Sequence, residues 1–414
     1  MNFFPELAGI GRYSGEMAAW LHAQGHEVRV IAAPPSFPDW TVFEGYSAWA
    51  YRKSDCNGVT VWRSPTWVPA KPGALARMVH LASFMLSSFP LLIGQWRWKP
   101  DLVFVVEPPL FCAPGALVLS RLAGSRAWLH VQDHEVDAAF EMGLLRGSSA
   151  RRFAVAVERW LLNRFDRVSS ISAAMVARTR NKGVDEERLV LFPNWVDISA
   201  IRPQPRSLEA AGYRLELGIP AEAVVVLYAG SMGRKQGIEL LAEAARLLSD
   251  DTRVHFVFCG NGPSRETLRA SCEGLQRAHF LDLQPAERLS ELLGMADIQV
   301  LPQRADAADL VMPSKLTGML ASGRAVLVTA HLHTELGNVV GRCGVVVPPG
   351  DASALAAAIS QLADDPERRA ALGAAGRAFA ESELDQHIVL GQLEREFERC
   401  LAGTRSARPL TTTH

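Results

Sequence analysis

The chain has 414 residues, 48% of them hydrophobic and 21% charged, with 43 basic side chains against 44 acidic ones. That length fits two or three domains at roughly 100–200 residues each, with ample core. A net charge of −1 argues against binding nucleic acid through bulk electrostatics, and the hydrophobic fraction excludes a disordered chain. Cys56, Cys112, Cys259, Cys272, Cys343 and Cys400 form no C-x-x-C pair, which excludes the usual zinc and redox motifs and fits reduced thiols in the cytoplasm. Met1 runs straight into Asn2–Glu6 without a signal peptide. The longest apolar run, Met78–Ile93, contains His80 and Pro90 and falls short of the ~20 residues that span a bilayer. The expectation is a soluble chain, at most attached to a membrane.

Short β-branched runs alternate with alanine- and leucine-rich helical stretches. The predicted strands are Glu27–Ala33, Val59–Arg63, Leu102–Val106, Ala127–Val131, Arg167–Ile171 and Leu189–Phe192, then Val224–Gly230, Val254–Gly260, Ala278–Leu281, Ile298–Leu301, Ala325–Thr329 and Gly344–Val347. Apolar runs of this length separated by helix-length segments read as parallel strands buried on both faces, so twelve of them predict two doubly wound α/β domains. The junction falls near Pro193–Pro205, where prolines flank a polar segment. The domains expected are 1–197 and 198–380, followed by a helix over 381–402 and a disordered tail over 403–414. Ser353 is the expected cap of a helix over Ser353–Asp364. A doubly wound domain opens with a strand that feeds a glycine-rich loop and a helix. Here the loop Pro5–Gly11 and the helix Arg12–Gln24 are present, but only Met1–Phe4 precede them, so the first strand is expected to be truncated.

Four places carry chemistry. Gly9 and Gly11 sit where a strand should meet a helix, and bare backbone there can approach a phosphate or sugar, though ordinary turns share the pattern. His130, Asp133, His134, Glu135 and Asp137 crowd the C-terminal end of a strand, the usual active-site edge of such a sheet. The competing readings are a metal site, which would need a helix under His130 and His134, and a solvated loop with one core histidine. Gly230-Ser231-Met232-Gly233-Arg234-Lys235-Gln236-Gly237 is a glycine-rich turn carrying two cations, suited to a diphosphate or simply solvated, and it is not a G-x-x-x-x-G-K-[ST] P-loop. Gly260-Asn261-Gly262 repeats the theme after the next strand. Finally, Pro313-Ser314-Lys315-Leu316 opens a helix with a cation in its first turn, unfavourable for the helix dipole unless an anion is near, though a solvated lysine reads the same way.

With these residues in place, the sequence resembles the retaining family-four glycosyltransferases of the two-Rossmann-domain (GT-B) kind over nearly its whole length. The marks, in order, are Gly9-Ile10-Gly11, Phe192–Asp197, Tyr228-Ala229-Gly230, Gly260-Asn261-Gly262-Pro263, Ala296-Asp297, Ala321-Ser322-Gly323 and Pro349-Gly350-Asp351. Pro5–Tyr13, Gly25–Pro35, Tyr46–Trp49, His130–Asp137, Gly233–Gly237 and Pro313–Thr317 look closer still to the fucosyltransferase-type enzymes of colanic acid synthesis. The resemblance implies a retaining transferase that moves a sugar, fucose by this analogy, from a nucleotide-sugar to a lipid-linked saccharide of an exopolysaccharide. It implies no metal or other cofactor, and no D-x-D motif is present. His130 and Asp133 would be catalytic. Gly230, Ser231, Arg234, Lys235, Gly260, Gly262, Pro313, Ser314, Lys315 and Leu316 would hold the donor, and Gly9 and Gly11 would line the acceptor side. The final helix would cross back to the first domain. Two departures stand out. Leu310 and Gly318 occupy positions where many relatives have glutamates, with Asp309 as a substitute for the first, and Ser231 stands where many have arginine. A sugar-nucleotide epimerase and a degenerate donor-binding paralogue share the architecture and remain alternatives.

Between Tyr51 and Pro100, Arg52, Lys53, Arg63, Lys71, Arg77, Arg97 and Lys99 face a single Asp55 and interleave with Trp62, Trp67, Trp96 and Trp98. Basic residues and tryptophans around an apolar run suit an anionic membrane surface, as would befit a polyprenyl-diphosphate-linked acceptor. A core helix with a solvated edge reads the same way. The expected location is the cytoplasmic face of the plasma membrane, without nucleic acid as a partner.

Overall fold

The computed structural model describes residues 1–6, 9–70, 73–141, 148–204, 212–233, 236–305 and 313–402, which fall into two compact units, Met1–Pro193 with Leu390 onward, and Asn194–Val389. The tail over 403–414 lies outside the described residues. All six cysteines are unpaired thiols.

Unit 1 contains α1 (Gly9–Ala23), β1 (Arg29–Ala32), β2 (Arg52–Cys56), β3 (Val59–Arg63), α2 (Ala74–Gly94), β4 (Leu102–Glu107), α3 (Ala113–Ala123), β5 (Arg126–Val131), α4 (Glu135–Glu141), α5 (Ser148–Leu162), β6 (Arg167–Ser170), α6 (Ala173–Asn181) and β7 (Leu189–Leu191). Its strands form two sheets, β1-β3-β2 and β4-β5-β6-β7, where six strands in one sheet were expected. Among the described residues no strand joins β1 to β4. The Ala33 N–H donates to the Met1 carbonyl at 2.9 Å, and Phe3 enters a small core with Ala18, Ala32, Val59 and Val61. The N-terminal residues thus touch the end of β1 without forming a ladder. Strand β2 escaped prediction because Arg52–Asp55 are polar and exposed; it pairs antiparallel with β3 through Asn57-Gly58, both at positive φ, the two-residue turn this dipeptide favours.

From β4 to β7 the parallel strands advance in one direction, so right-handed crossovers place α3, α4, α5 and α6 on one face, and α2 packs beside α3. On the opposite face Phe104 and Trp128 lie in register on β4 and β5, under the ring of Phe397 at 5.7 and 5.0 Å. Helix α2 corrects the expectation of a short apolar run. It has 21 residues, long enough at ~1.5 Å per residue to cross a bilayer, because it continues past the apolar stretch at both ends. His80, Phe84 and Ser88 are buried at fourfold spacing, so one stripe packs into the unit.

Unit 2 contains α7 (Gly212–Glu216), β8 (Val224–Ala229), α8 (Glu239–Leu247), β9 (Val254–Cys259), α9 (Arg265–Ser271), β10 (Ala278–Leu281), α10 (Leu289–Gly294), β11 (Ile298–Pro302), α11 (Lys315–Ala321), β12 (Ala325–Thr329), α12 (Glu335–Val340), β13 (Val345–Val347), α13 (Ala352–Asp364) and α14 (Pro366–Phe379). Its six parallel strands run β10-β9-β8-β11-β12-β13 between two apolar cores, one on each face. The Ala296-Asp297 mark is structural: Asp297 Oδ2 accepts from Arg214 at 2.7 Å and from the Val225 N–H at 2.9 Å, tying the start of β8 to that of β11. The cap of α13 is Asp351, whose Oδ1 accepts from Ala354 N at 2.8 Å, not Ser353. The final helix expected over 381–402 starts later: α14 ends in a π-turn over Ala380–Leu384, and α15 (Gln386–Ala402) starts afresh after Asp385. The unit boundary crosses α15 after Val389.

Candidate functional site

In unit 2 the sheet order reverses direction between β8 and β11, and ligands of such sheets bind at the carboxyl ends of the strands beside that switch point. Three predicted residues meet there with two unforeseen ones. Lys315 Nζ donates to the Tyr228 hydroxyl at 2.9 Å, lies 4.5 Å from the centre of its ring, and reaches Gln236 Oε1 at 3.4 Å. Tyr228 in turn donates to the Ser231 carbonyl at 2.6 Å. Among the described residues Lys315 has no carboxylate partner, and burial pulls its ammonium from 10.5 down to about 8. Burial also raises the Tyr228 phenol well above its ordinary value. A half-buried cation held by neutral oxygens is prepared for an anion.

The glycines shape this place rather than donate to it. At Gly230 (φ 141°) a Cβ would stand 2.8 Å from Lys315 Nζ, so the missing side chain is the slot in which the lysine lies. At Gly260 (φ 134°) a Cβ would lie 2.1 Å from the Gly230 carbonyl oxygen, and at Gly262 (φ 152°) one would lie 2.6 Å from that of Met232. The loops after β8 and β9 are laced together at these points. The Gly230 N–H is given to the Cys259 carbonyl, and the Gly260 N–H to that of Leu281. Neither donates to a phosphate in this arrangement. Pro313 and exposed Ser314 precede α11, and Leu316 is buried in the core. Arg234, Lys235, Asp309 and Leu310 lie outside the described residues. Gly318 is in α11.

In unit 1, His130 is the penultimate residue of β5, in register with Val106 and Ser169. It is 2% exposed, stacked at 5.8 Å on Phe104 and tilted at 4.8 Å against Phe192. The Gln132 amide nitrogen donates to its Nε2 at 2.9 Å, so Nδ1 carries the proton and gives it to Ser169 Oγ at 2.9 Å. Ser169 Oγ also accepts from Trp128 Nε1 at 2.8 Å. Burial brings the His130 pKa down to about 3, so the ring is neutral. His130 therefore stands inside the wall and presents Gln132, which sequence reasoning passed over. Asp133 is half-buried in the loop that follows.

His134 is a core residue. It is 2% exposed, near Met175 O and Lys182 Nζ at 3.4 Å each, with its pKa lowered to about 4 by burial and by Lys182. Lys182 is committed to Glu158 at 2.6 Å and Asp137 at 2.9 Å. Glu135 accepts from Leu110 N at 2.7 Å and donates its own N–H to buried Glu107, whose carboxyl is held well above its usual range by burial and by neighbouring Glu158 and Glu135. These contacts pin the loop and α4 from both sides. Among the described residues no group of three or more His, Cys, Asp or Glu side chains is placed to hold a metal ion.

Gly9 and Gly11 fall in the first turn of α1, not in a loop before it. Gly9 (φ 55°) faces open space. At Gly11 a Cβ would meet Glu6 Cβ at 2.7 Å. Buried Glu6 accepts from Ser36 N and Phe37 N at 2.8 and 3.0 Å, so Gly11 gives room to a carboxylate that anchors the loop after β1.

Residues 8–195 match the glycosyl transferase 4-like domain and residues 223–365 the glycosyl transferases group 1 domain. The chain is 42% identical to the putative colanic acid biosynthesis glycosyl transferase WcaI of Escherichia coli (strain K12) over 399 residues, 95% of this chain and 97% of that protein. Among solved structures it is similar to sucrose-phosphate synthase from Thermosynechococcus elongatus, with TM-score 0.73 and 19% identity over 96% of this chain and 94% of the other. It is also similar to Anabaena Alr3699/HepE, solved in complex with UDP and glucose, with TM-score 0.64 and 16% identity over 90% of this chain and 100% of the other. At these identities the two structures establish the fold alone, the two-domain GT-B arrangement of parallel sheets.

Proposed function

The chain belongs to the glycosyltransferases of the 4-like and group 1 kind, and from that membership we propose that it is a retaining enzyme of colanic-acid-like exopolysaccharide assembly. It moves a sugar, fucose from a guanine nucleotide in this reading, to a polyprenyl-diphosphate-linked saccharide. The observation that carries this reading is identity of 42% running through both domains to a relative named for colanic acid biosynthesis.

The chemistry follows from charge. As the nucleoside diphosphate departs, negative charge grows on its phosphate oxygens, and a cation already desolvated beside them stabilises that change most. Lys315 fills this role: a diphosphate supplies the anion its surroundings lack and restores its full charge. Attack comes from the face the leaving group vacates, and the departing phosphate takes the acceptor hydroxyl's proton. No metal or cofactor enters. Asp133 orients the sugar or the acceptor hydroxyl. His130, hidden behind Gln132, acts as a positioning residue that holds the amide facing the sugar. The enzyme works at the cytoplasmic face of the plasma membrane, docked through residues 51–100. There Leu75, Leu86, Phe89 and Trp96 are exposed, and Arg77, Arg97 and Lys99 flank them.

A donor panel of GDP-fucose, GDP-mannose and UDP-glucose, assayed for hydrolysis and for transfer to lipid-linked saccharides, tests the reading. Transfer from GDP-fucose to a lipid-linked acceptor is expected. Donor interconversion without transfer would replace it with an epimerase, and donor binding without turnover with a non-catalytic paralogue.

A further inference from the structure

Helix α5 has a face that the fold leaves bare. Phe153, Val157 and Trp160 recur at i, i+4 and i+7 and are 72%, 39% and 54% exposed, while Leu162 on the other side is buried. Arg152 and Arg164 are exposed beside this stripe, whereas Arg151 lies on the far side of the helix over the Phe140 ring and Arg159 donates to the Lys182 carbonyl. The single acid of the helix, Glu158, is fully buried and given to Lys182 at 2.6 Å. The Arg164 guanidinium lies 4.1 Å from the Trp160 ring centre, with the cation beside the apolar stripe.

Two further observations say what covers this face. Helix α5 lies on the same side of the sheet as α2 and α3, which expose Leu75, Leu86 and Leu122. Every exposed large aromatic side chain among the described residues, Phe153 and Trp160 included, belongs to unit 1. An apolar stripe flanked by Arg152 and Arg164, on a helix with no exposed acid among its described residues, repels a second copy of itself and matches a surface that is apolar below and anionic above.

We propose that α5 is a second membrane-docking element, with Phe153, Val157 and Trp160 entering the headgroup region of an anionic bilayer and Arg152 and Arg164 resting on lipid phosphates. With α2 it sets unit 1 down on the helical face of its sheet. The proposal rests on the peripheral-membrane reading above and adds to it a site outside residues 51–100.

Co-sedimentation of the full chain with phosphatidylcholine–phosphatidylglycerol vesicles, and with phosphatidylcholine alone, tests it. Replacing Arg152 and Arg164 together by Gln is expected to weaken partitioning onto the anionic vesicles by roughly 30-fold. The corresponding Lys double variant retains binding, and Phe153→Ser with Trp160→Ser lowers binding to both kinds of vesicle. Coincident urea melts of wild type and variants show that these surface changes leave the fold intact. Binding by the Gln double variant within about twofold of wild type overturns the proposal. If Leu75→Ser, Leu86→Ser and Phe89→Ser release the protein while the α5 variants do not, the peripheral reading stands and α5 has no part in it. If wild type sediments with neither vesicle, both readings fall.

Discussion

In the proposed reading Lys315 works against the fold and for the reaction. Its ammonium is pulled from 10.5 to about 8 by burial. Between those values the unfolded chain keeps a proton that the folded chain has released, so this group's contribution to stability rises with pH there and is least favourable below about pH 8. Lys315→Met is therefore expected to bind donor at least about tenfold more weakly while being no less stable near neutral pH. Urea melts should show its advantage shrinking by about pH 10, and a donor Kd equal to wild type would remove Lys315 from the site. His130 has the opposite standing. Its folded pKa of about 3 lies below the ordinary 6.5, so stability is present above about pH 6.5 and lost as the pH falls. By about pH 5 the buried neutral ring costs about 2 kcal/mol, a slope that His130→Gln should remove from wild-type unfolding curves. His130→Ala is expected to lose transfer and retain nucleotide binding; near-native turnover would show that Gln132 needs no support from it. Both residues were legible as candidates, because a cation at a helix start and a histidine at a strand end are visible in one dimension. Tyr228 and Gln132 were not, since only the fold brings them to Lys315 and His130.

At the level of elements, twelve strands were predictable from apolar runs, because burial on both faces writes itself into composition. Strand β2 was missed for the converse reason: an edge strand with solvent on it needs no apolar residue, and only Asn57-Gly58 announced the hairpin. Asp351 caps α13 in place of Ser353 because its carboxylate meets the Ala354 N–H. The glycines after β8 and β9 have a packing reason for their place. The two loops approach each other too closely for a side chain, and the Gly230 and Gly260 N–H groups are given to the Cys259 and Leu281 carbonyls. Asp297 is an element-scale residue as well. Replacing it with Ala strands the Arg214 guanidinium and the Val225 N–H, and should cost about 3–5 kcal/mol in chemical denaturation. Arg214→Met combined with Asp297→Leu should recover much of that loss. If the single variant melts with wild type, the pair does not hold β8 to β11.

Across the whole molecule, the neutral sum of charges conceals a division of labour. Unit 1 exposes aromatic and basic side chains on α2 and α5, while the exposed large hydrophobic side chains of unit 2 are, among the described residues, all aliphatic. Replacing Arg77, Arg97 and Lys99 with Glu is expected to reduce co-sedimentation with anionic vesicles, and unchanged binding would remove residues 51–100 from the membrane reading. Composition and periodicity by themselves determined the α/β class and the twelve parallel strands, because burial on both faces is a local pattern that a chain must display in order to fold. The resemblance to the family rested instead on the ordered motifs from Gly9-Ile10-Gly11 to Pro349-Gly350-Asp351. Only the tertiary structure decided that unit 1's strands form two sheets, that His130 is inside the wall, and that Lys315 lies in the slot of Gly230 under Tyr228. Those outcomes depend on which distant segments meet, and on hydrogen-bond donors whose partners are many residues away.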